Sequence, residues 1–421
     1  MNSSHFVRKS PGMARKCLMI VIDGMSDRIL KDYGKTPLEM ANIPNLDLMA
    51  KEGLSGLLDV LGIGNRAGSD TAHLAILGYD PHKVYTGRGP LEVAGTGIKI
   101  KSGDVSLRCN YATVDENFNL ISRTAGQISE GEGTNEFEKI LNKIELPVEY
   151  EFKNSLSYRC VLHLKGKGLS GNVCDTEPKK EGMPINEVKP RIKSAEAEKT
   201  SEILNKFIKE SHKILKDHPI NLKRAAEGKF PANIIVPRGA GVTPELEDFY
   251  GKWKVKGAVV AGIGLIKGLG YLTGMDVINV PTATGYIDSD FMAKGRAAVE
   301  ALKTHDFVLL HAESTDEPSH DRDVKGKITA LERVDEMIGY VMENVSETLI
   351  VVLADHTTST DLGDHTADPT PIVFWGGNFV PDEVSKLTEK EMYKGGIHRI
   401  NGSNVMPLIL DQINKAKKFG A

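Results

Sequence analysis

The sequence predicts an α/β protein: a doubly wound, mostly parallel sheet with an α+β domain inserted into it. Three observations carry this reading. Four short apolar runs, "CLMIVID" (17–23), "DFVLLH" (306–311), "TLIVVLAD" (348–355) and "PIVFW" (371–375), are continuous rather than alternating, as buried parallel strands are. Between them, residues 288–303 and 327–345 repeat apolar side chains at three-to-four spacing, the period of a helix with one buried face. From about residue 84 to 250 the pattern changes to short strands and hairpin signals, which marks a second domain within the first.

Basic residues Arg8, Lys9, Arg15 and Lys16 precede the first apolar run. The run is too short for a secretion signal and ends in Asp23-Gly24, so it reads as the first buried strand after a loose leader, residues 1–15. Residues 16–84 and 251–421 then form the core domain, and 85–250 the insertion. "AGSDTAHLAIL" (67–77) starts polar and continues as the apolar front of a helix. Ser69 or Asp70 fits a helix cap there. A serine following a glycine at a helix N-terminus equally fits a nucleophile, because amides and the helix dipole hold a phosphoryl group at such a place. "TGRGPLEVAGTG" (86–97) reads as a hinge into the insertion.

Inside the insertion, "VDENFNL" and "YRCVLHLKGKGLSG" carry the hairpin signals. Residues 194–216 form one amphipathic helix, with Ile203, Leu204, Phe207, Ile208, Ile214 and Leu215 on its apolar stripe. "GAVVAGIGLIKGLG" (257–270) follows a strand like a dinucleotide-binding loop, but Lys267 stands where that fingerprint needs its third glycine.

Composition narrows the function. The 421 residues are 40% hydrophobic and 26% charged, and two domains is the natural expectation. A formal net charge of -4, without a basic stripe, argues against nucleic acid. No apolar run approaches the roughly 18 residues that cross a membrane. Cys17, Cys109, Cys160 and Cys174 lack CxxC spacing, which fits neither a zinc ribbon nor a disulfide framework and suits a reducing, cytoplasmic setting.

The chemistry gathers at strand ends, where open α/β sheets bind ligands. Asp23 ends the first strand; Asp316 and His320 follow the strand at 306–311; Asp355 and His356 end the strand at 348–355; His365 precedes the last. Any one of these histidines fits a cap or a surface position. Three carboxylates converging with them would repel one another and be costly to bury without cations. Mixed Asp/His donors without thiolate suit Mn²⁺, Mg²⁺, Zn²⁺ or Co²⁺. Two divalent ions against three carboxylates leave one positive charge, which a serine alkoxide neutralises. With cations in view, the nucleophile reading of Ser69 displaces the cap.

Asp23 in "VIDG", the Ser69-Asp70-x-x-His73-Leu74 motif, Asp316-x-x-x-His320, Asp355-His356 and His365 ahead of "PTPIVF" resemble the alkaline phosphatase superfamily. More narrowly they resemble the cofactor-independent phosphoglycerate mutases, and "AGSDTAHLAILGYDP" with "YTGRGPLE" resembles the archaeal-type branch, over about residues 16–416. The resemblance implies an alkaline-phosphatase-like core with an inserted substrate-binding cap. It implies a phosphorylated nucleophile at Ser69, one metal on Asp316, His320 and His365, and a second on Asp23, Ser69, Asp355 and His356. Lys267 matches a lysine between metals and phosphate, and Arg238 matches the first of a substrate-binding arginine pair. Gly239, Ala240 and Gly241 follow Arg238, so the pair's second arginine is absent here; Arg108, Arg123 and Arg159 are the candidates for the remaining anion contacts. "DEPSH" also stands where the bacterial branch has DMVGH.

The implied activity is interconversion of 3-phosphoglycerate and 2-phosphoglycerate, in glycolysis and gluconeogenesis, through a phosphoserine. It would use two divalent ions, Mn²⁺ foremost, without 2,3-bisphosphoglycerate, and its cap would exclude water. A related bimetal phosphotransferase or phosphatase (phosphopentomutase or homoserine-kinase-like) and a non-catalytic metal-binding protein are the alternatives.

Overall fold

The computed structural model describes residues 13–313, 315–418 and 420. Most of the expected leader, including Arg8 and Lys9, lies outside the described residues. The chain forms two compact units, one from the segments up to Lys83 and from Leu246 onward, the other from Val84–Glu245.

The first unit is built on an eight-stranded sheet: β1 (Lys16–Ile22), β2 (Leu54–Asp59), β3 (Gly257–Val260), β4 (Asp276–Ile278), β5 (Phe307–Ala312), β6 (Thr348–Leu353), β7 (Thr370–Trp375) and β8 (His398–Asn401). Their order across the sheet is β8-β2-β7-β6-β1-β5-β3-β4. β1 lies centrally, parallel to β5 and β6, with Met19 paired to Leu309 on one side and Val351 on the other. All residues from Cys17 to Ile22 are fully buried, which is why this run does not alternate. Leu18, Ile20 and Ile22 share a core with the helices Pro44–Glu52, Phe291–Ala301 and Val324–Asn344, the last two occupying the stretches read as 288–303 and 327–345.

One strand departs from expectation. The apolar run at 371–375 predicts a parallel strand, but β7 is antiparallel to both its neighbours, β6 and β2. The physical reason is the connection. Between Leu353 and Thr370 the chain makes only a short hairpin, Thr357–Ser359 with Asp364–Thr366, and no crossover helix. Without a crossover the chain returns in the opposite direction.

The second unit is an antiparallel sheet centred on the strand Val105–Val114, which pairs with Leu120–Ser122, Arg159–Leu164 and Ile234–Val242; Tyr150–Asn154 extends it beyond Arg159–Leu164. The helix Ala195–Lys216 is capped by Ser194, whose side chain accepts from the Ala197 amide. It buries Ile203, Leu204, Phe207, Ile208 and Leu215 in this unit's core, with Ile214 at the edge. The hinge expected at 86–97 is instead largely a helix, Arg88–Gly95, with Gly89 to Ala94 buried. It packs on Val105–Val114 so closely that a Cβ at Gly89 would stand 2.1 Å from the Ser106 carbonyl oxygen. Gly89 permits that approach, and a packed helix cannot act as a loose joint.

Candidate metal centre and phosphoryl-transfer site

Three adjacent parallel strands, β6, β1 and β5, end together, and the residues just beyond their carboxyl ends form the site: Asp355 and His356, Asp23, and Asp316 with His320. The hairpin before β7 adds His365. Gly68 is the N-cap of the helix Ser69–Ile76 and makes no side-chain cap bond; Asp70 takes up the Thr71 amide. The Ser69 hydroxyl is therefore not used as a cap. It lies 3.3 Å from His356 Nε2.

Two donor sets result. In the first, His356 Nε2 lies 3.2 Å from Asp23 Oδ1 and 3.3 Å from Asp355 Oδ2, with Ser69 Oγ beside it. In the second, Asp316 Oδ2 lies 3.3 Å from His320 Nε2, and Asp316 Oδ1 lies 3.5 Å from His365 Nε2. The sets adjoin, since the His356 and His365 rings stack with centroids 3.7 Å apart.

Hydrogen bonds fix which nitrogens offer lone pairs. His320 Nδ1 donates to the Gly363 carbonyl at 2.9 Å, and His365 Nδ1 donates to the Ala67 carbonyl at 2.8 Å. Thr358 Oγ1 donates to Asp316 Oδ1 at 2.6 Å and so takes the proton of His356 Nδ1, 3.0 Å away. In each ring this leaves Nε2 facing the carboxylates, the arrangement of a metal-binding imidazole with its second nitrogen anchored. Asp23 Oδ1 and Asp355 Oδ2 are buried, and no hydrogen bond among the described residues reaches either. Oxygen and nitrogen donors that converge in this way, two of the carboxylate oxygens unsatisfied by any hydrogen bond, fit divalent cations.

The electrostatics agree. Burial, then the charges of Asp355 and Asp316, push the Asp23 carboxyl well above the usual range. Burial works the same way on Asp316, but hydrogen bonding to His320 and His365 overrides it and holds that carboxyl well below the usual range. The Asp316 hydrogen bond raises His320 to about 9, although burial opposes it.

Lys267 lies on the helix Gly264–Leu272, which packs against the helix that Ser69 opens. Burial lowers its pKa, and the Glu313 carboxylate partly restores it. Sequence reasoning left His311, Glu313 and Thr358 without roles. Their strand-end positions beside assigned residues were the available signal.

The four expected arginines lie in the second unit. Arg108 and Arg238 are register partners on neighbouring strands, and Arg159 pairs with Asn110, two residues along from Arg108. Arg238 Nη1 meets Glu177 Oε2 at 2.6 Å, while Arg123 Nη1 meets the other oxygen of Glu177 at 3.1 Å. Arg88, unassigned from sequence, joins the group with its Nε 2.9 Å from Glu92 Oε1. Burial, then Arg88 and Arg238, lower Arg108 to about 9. Such crowding of cations suits an anionic ligand.

Two family models match the chain: 2,3-bisphosphoglycerate-independent phosphoglycerate mutase over residues 50–221, and type I phosphodiesterase / nucleotide pyrophosphatase over residues 179–369. The chain is 48% identical over 409 residues to 2,3-bisphosphoglycerate-independent phosphoglycerate mutase 1 of Methanocaldococcus jannaschii, covering 96% of this chain and 99% of that one. The structure of the PH0037 protein from Pyrococcus horikoshii superposes with a TM-score of 0.84 at 35% identity, covering 97% of this chain and 100% of that one. The cofactor-independent phosphoglycerate mutase from Thermoplasma acidophilum superposes with a TM-score of 0.65 at 29% identity, covering 95% and 100%.

Proposed function

The chain belongs to the family of 2,3-bisphosphoglycerate-independent phosphoglycerate mutases, and on that premise we propose that it interconverts 3-phosphoglycerate and 2-phosphoglycerate through a phosphoserine at Ser69. The observation that carries the proposal is the Ser69 hydroxyl, uncommitted to capping and 3.3 Å from a metal-oriented imidazole nitrogen.

We assign one divalent cation to Asp316, His320 and His365, and another to Asp23, Ser69, Asp355 and His356, with Mn²⁺ as the first choice and no 2,3-bisphosphoglycerate. When bound, such ions neutralise the carboxylates and the phosphoryl oxygens and lower the pKa of a neighbouring hydroxyl. Ser69 Oγ gives up its proton and attacks the substrate phosphorus in line; the P–O bond to glycerate breaks as the phosphoserine forms, and the departing oxygen takes up a proton to leave as the glycerate hydroxyl. Glycerate stays bound, reorients, and accepts the phosphoryl group on its other hydroxyl. Lys267 supplies a cation to the transferring group.

Arg238, Arg108, Arg159 and Arg123 are assigned to the phosphate and carboxylate of the substrate, since guanidinium forks match both. The second unit is also assigned the exclusion of water, because hydrolysis of a phosphoserine turns a mutase into a phosphatase.

The test is turnover of 3-phosphoglycerate by metal-stripped protein with Mn²⁺ restored and no bisphosphoglycerate, followed by phosphorus NMR. Metal-dependent 2-phosphoglycerate with little free phosphate supports the reading. Free phosphate alone would leave a phosphatase, and no reaction with metal bound would remove phosphoglycerate as the substrate.

A further inference from the structure

Behind the carboxylates lies a buried chain of charge that the steps above do not use. Lys294, His311 and Glu313 are inaccessible or nearly so. Glu313 divides its two oxygens. Oε2 takes the ammonium of Lys294, which also donates to the His311 carbonyl at 3.2 Å. Oε1 accepts from the Gly262 amide at 2.7 Å and the Ile263 amide at 3.3 Å, and it lies 3.3 Å from His311 Nδ1. On the other side of that imidazole, Nε2 stands 3.6 Å from Asp23 Oδ2. Ile263 is the N-cap of the helix Gly264–Leu272, on which Lys267 sits one turn in.

We propose that Glu313 is a positioning residue for phosphoryl transfer: one buried carboxylate holds the His311 ring behind Asp23 and anchors the start of the helix that carries Lys267. The inference rests on the roles proposed above for Asp23 and Lys267.

The geometry distinguishes this from an ion pair kept only for stability. Lys294 needs one oxygen, and the other would then be free to face any donor. Instead it meets two backbone amides at the Lys267 helix and the ring that backs Asp23. The approach is tight: a Cβ at Gly262 would lie 2.4 Å from the Thr284 carbonyl oxygen and 3.1 Å from Glu313 Oε1. Loop and helix start are thus hydrogen-bonded to one side chain that also sets its charge against the imidazole, and displacement of Glu313 disturbs all three. Groups that orient metal ligands from behind are typically worth 10–100-fold in metal affinity or activity.

The experiment is a Mn²⁺ titration of metal-stripped full-length protein by equilibrium dialysis, paired with steady-state kinetics on 3-phosphoglycerate. Glu313→Gln leaves Lys294 buried without its counter-charge, so the pair Glu313→Gln with Lys294→Met is measured beside it to keep the fold neutral. In both variants one equivalent of Mn²⁺ is expected to weaken by about 10–100-fold while the other keeps its affinity. The value of kcat falls at least about tenfold, more than KM changes, because Lys267 acts on the transferring group rather than on substrate capture. His320→Gln serves as the control and weakens the other equivalent.

Wild-type affinity for both equivalents together with wild-type kcat in the charge-neutral pair overturns the inference and leaves the mutase reading intact. A third equivalent in the wild type that disappears in His311→Gln also overturns it, because His311 would then be a ligand itself. Failure of the wild type to bind any Mn²⁺ removes the proposed metal centre, and this inference with it.

Discussion

The Nε2 atoms of His320 and His365 face one another across 3.2 Å, each ring donating a hydrogen bond from its Nδ1–H to a backbone carbonyl. Two lone pairs at that distance repel unless a cation or a proton lies between them. In the metal-free chain the proton is on His320, whose pKa is raised to about 9 beside Asp316.

The first prediction follows from that proton. A ligand must be deprotonated to bind a metal, so below about pH 9 each ion taken up at Asp316, His320 and His365 displaces a proton from His320. Affinity at this site is expected to fall as pH falls, by about tenfold per pH unit for one competing proton. Mn²⁺ titrations in weakly buffered solution at pH 6, 7 and 8 measure both the affinity and the released proton. A pH-independent affinity would contradict the assignment.

Ser69→Ala separates nucleophile from ligand. All six carboxylate and imidazole donors of the proposed pair of sites are untouched by it, so two equivalents of Mn²⁺ are still expected, one of them weakened. Turnover is expected to drop by about 10⁴-fold or more, the scale seen when a nucleophile is deleted from a site that keeps its electrostatics. Acid-stable phosphate should be retained on the wild-type chain after a rapid quench and be absent from the variant. Undiminished turnover would end the phosphoserine mechanism.

Arg108 gives a prediction with opposite signs for stability and function. Burial and the neighbouring Arg88 and Arg238 disfavour its charge. Arg108→Met removes that conflict at similar length, so thermal stability should hold or rise slightly. KM for phosphoglycerate should rise by roughly 10–100-fold, as the loss of one charge-assisted contact to an anion implies. Differential scanning calorimetry and steady-state kinetics read the two effects; a lower melting temperature with unchanged KM would make Arg108 structural.

Much of the first unit was legible because its chemistry sits in continuous apolar runs that end in Asp or His. Asp23, Asp316, Asp355, His356 and His365 all stand beside such ends, and the structure brings them together. Strand direction was not legible at β7, because burial on both faces makes an apolar run continuous whichever way it points. Only the helix-free return from Leu353 to Thr370 decides it. The strands Leu54–Asp59, Asp276–Ile278 and His398–Asn401 were also missed, being short or poor in β-branched residues. Glu313 is marked by its place directly after β5, but its partners Gly262 and Lys294 are distant in sequence, so its role is not legible there.

Gly89 tests whether the stretch 86–97, whose glycines suggest a hinge, is a packed element that shapes the arginine face. An added Cβ would meet the Ser106 carbonyl oxygen at 2.1 Å and the Gly239 carbonyl oxygen at 2.7 Å, both backbone atoms that cannot swing aside. Gly89→Ala should therefore destabilise the second unit by about 1–3 kcal/mol, the range for overpacking a close contact, despite the better helix propensity of alanine. The strain falls next to Arg88 on the helix and Arg238 before Gly239, so KM should rise with the loss of stability. The metal-binding residues all belong to the other unit, and Mn²⁺ stoichiometry should stay at the wild-type value. Urea unfolding, kinetics and metal analysis on this one variant check the three parts. Unchanged stability would mean that the helix Arg88–Gly95 yields under a single methyl group, and the hinge reading would return.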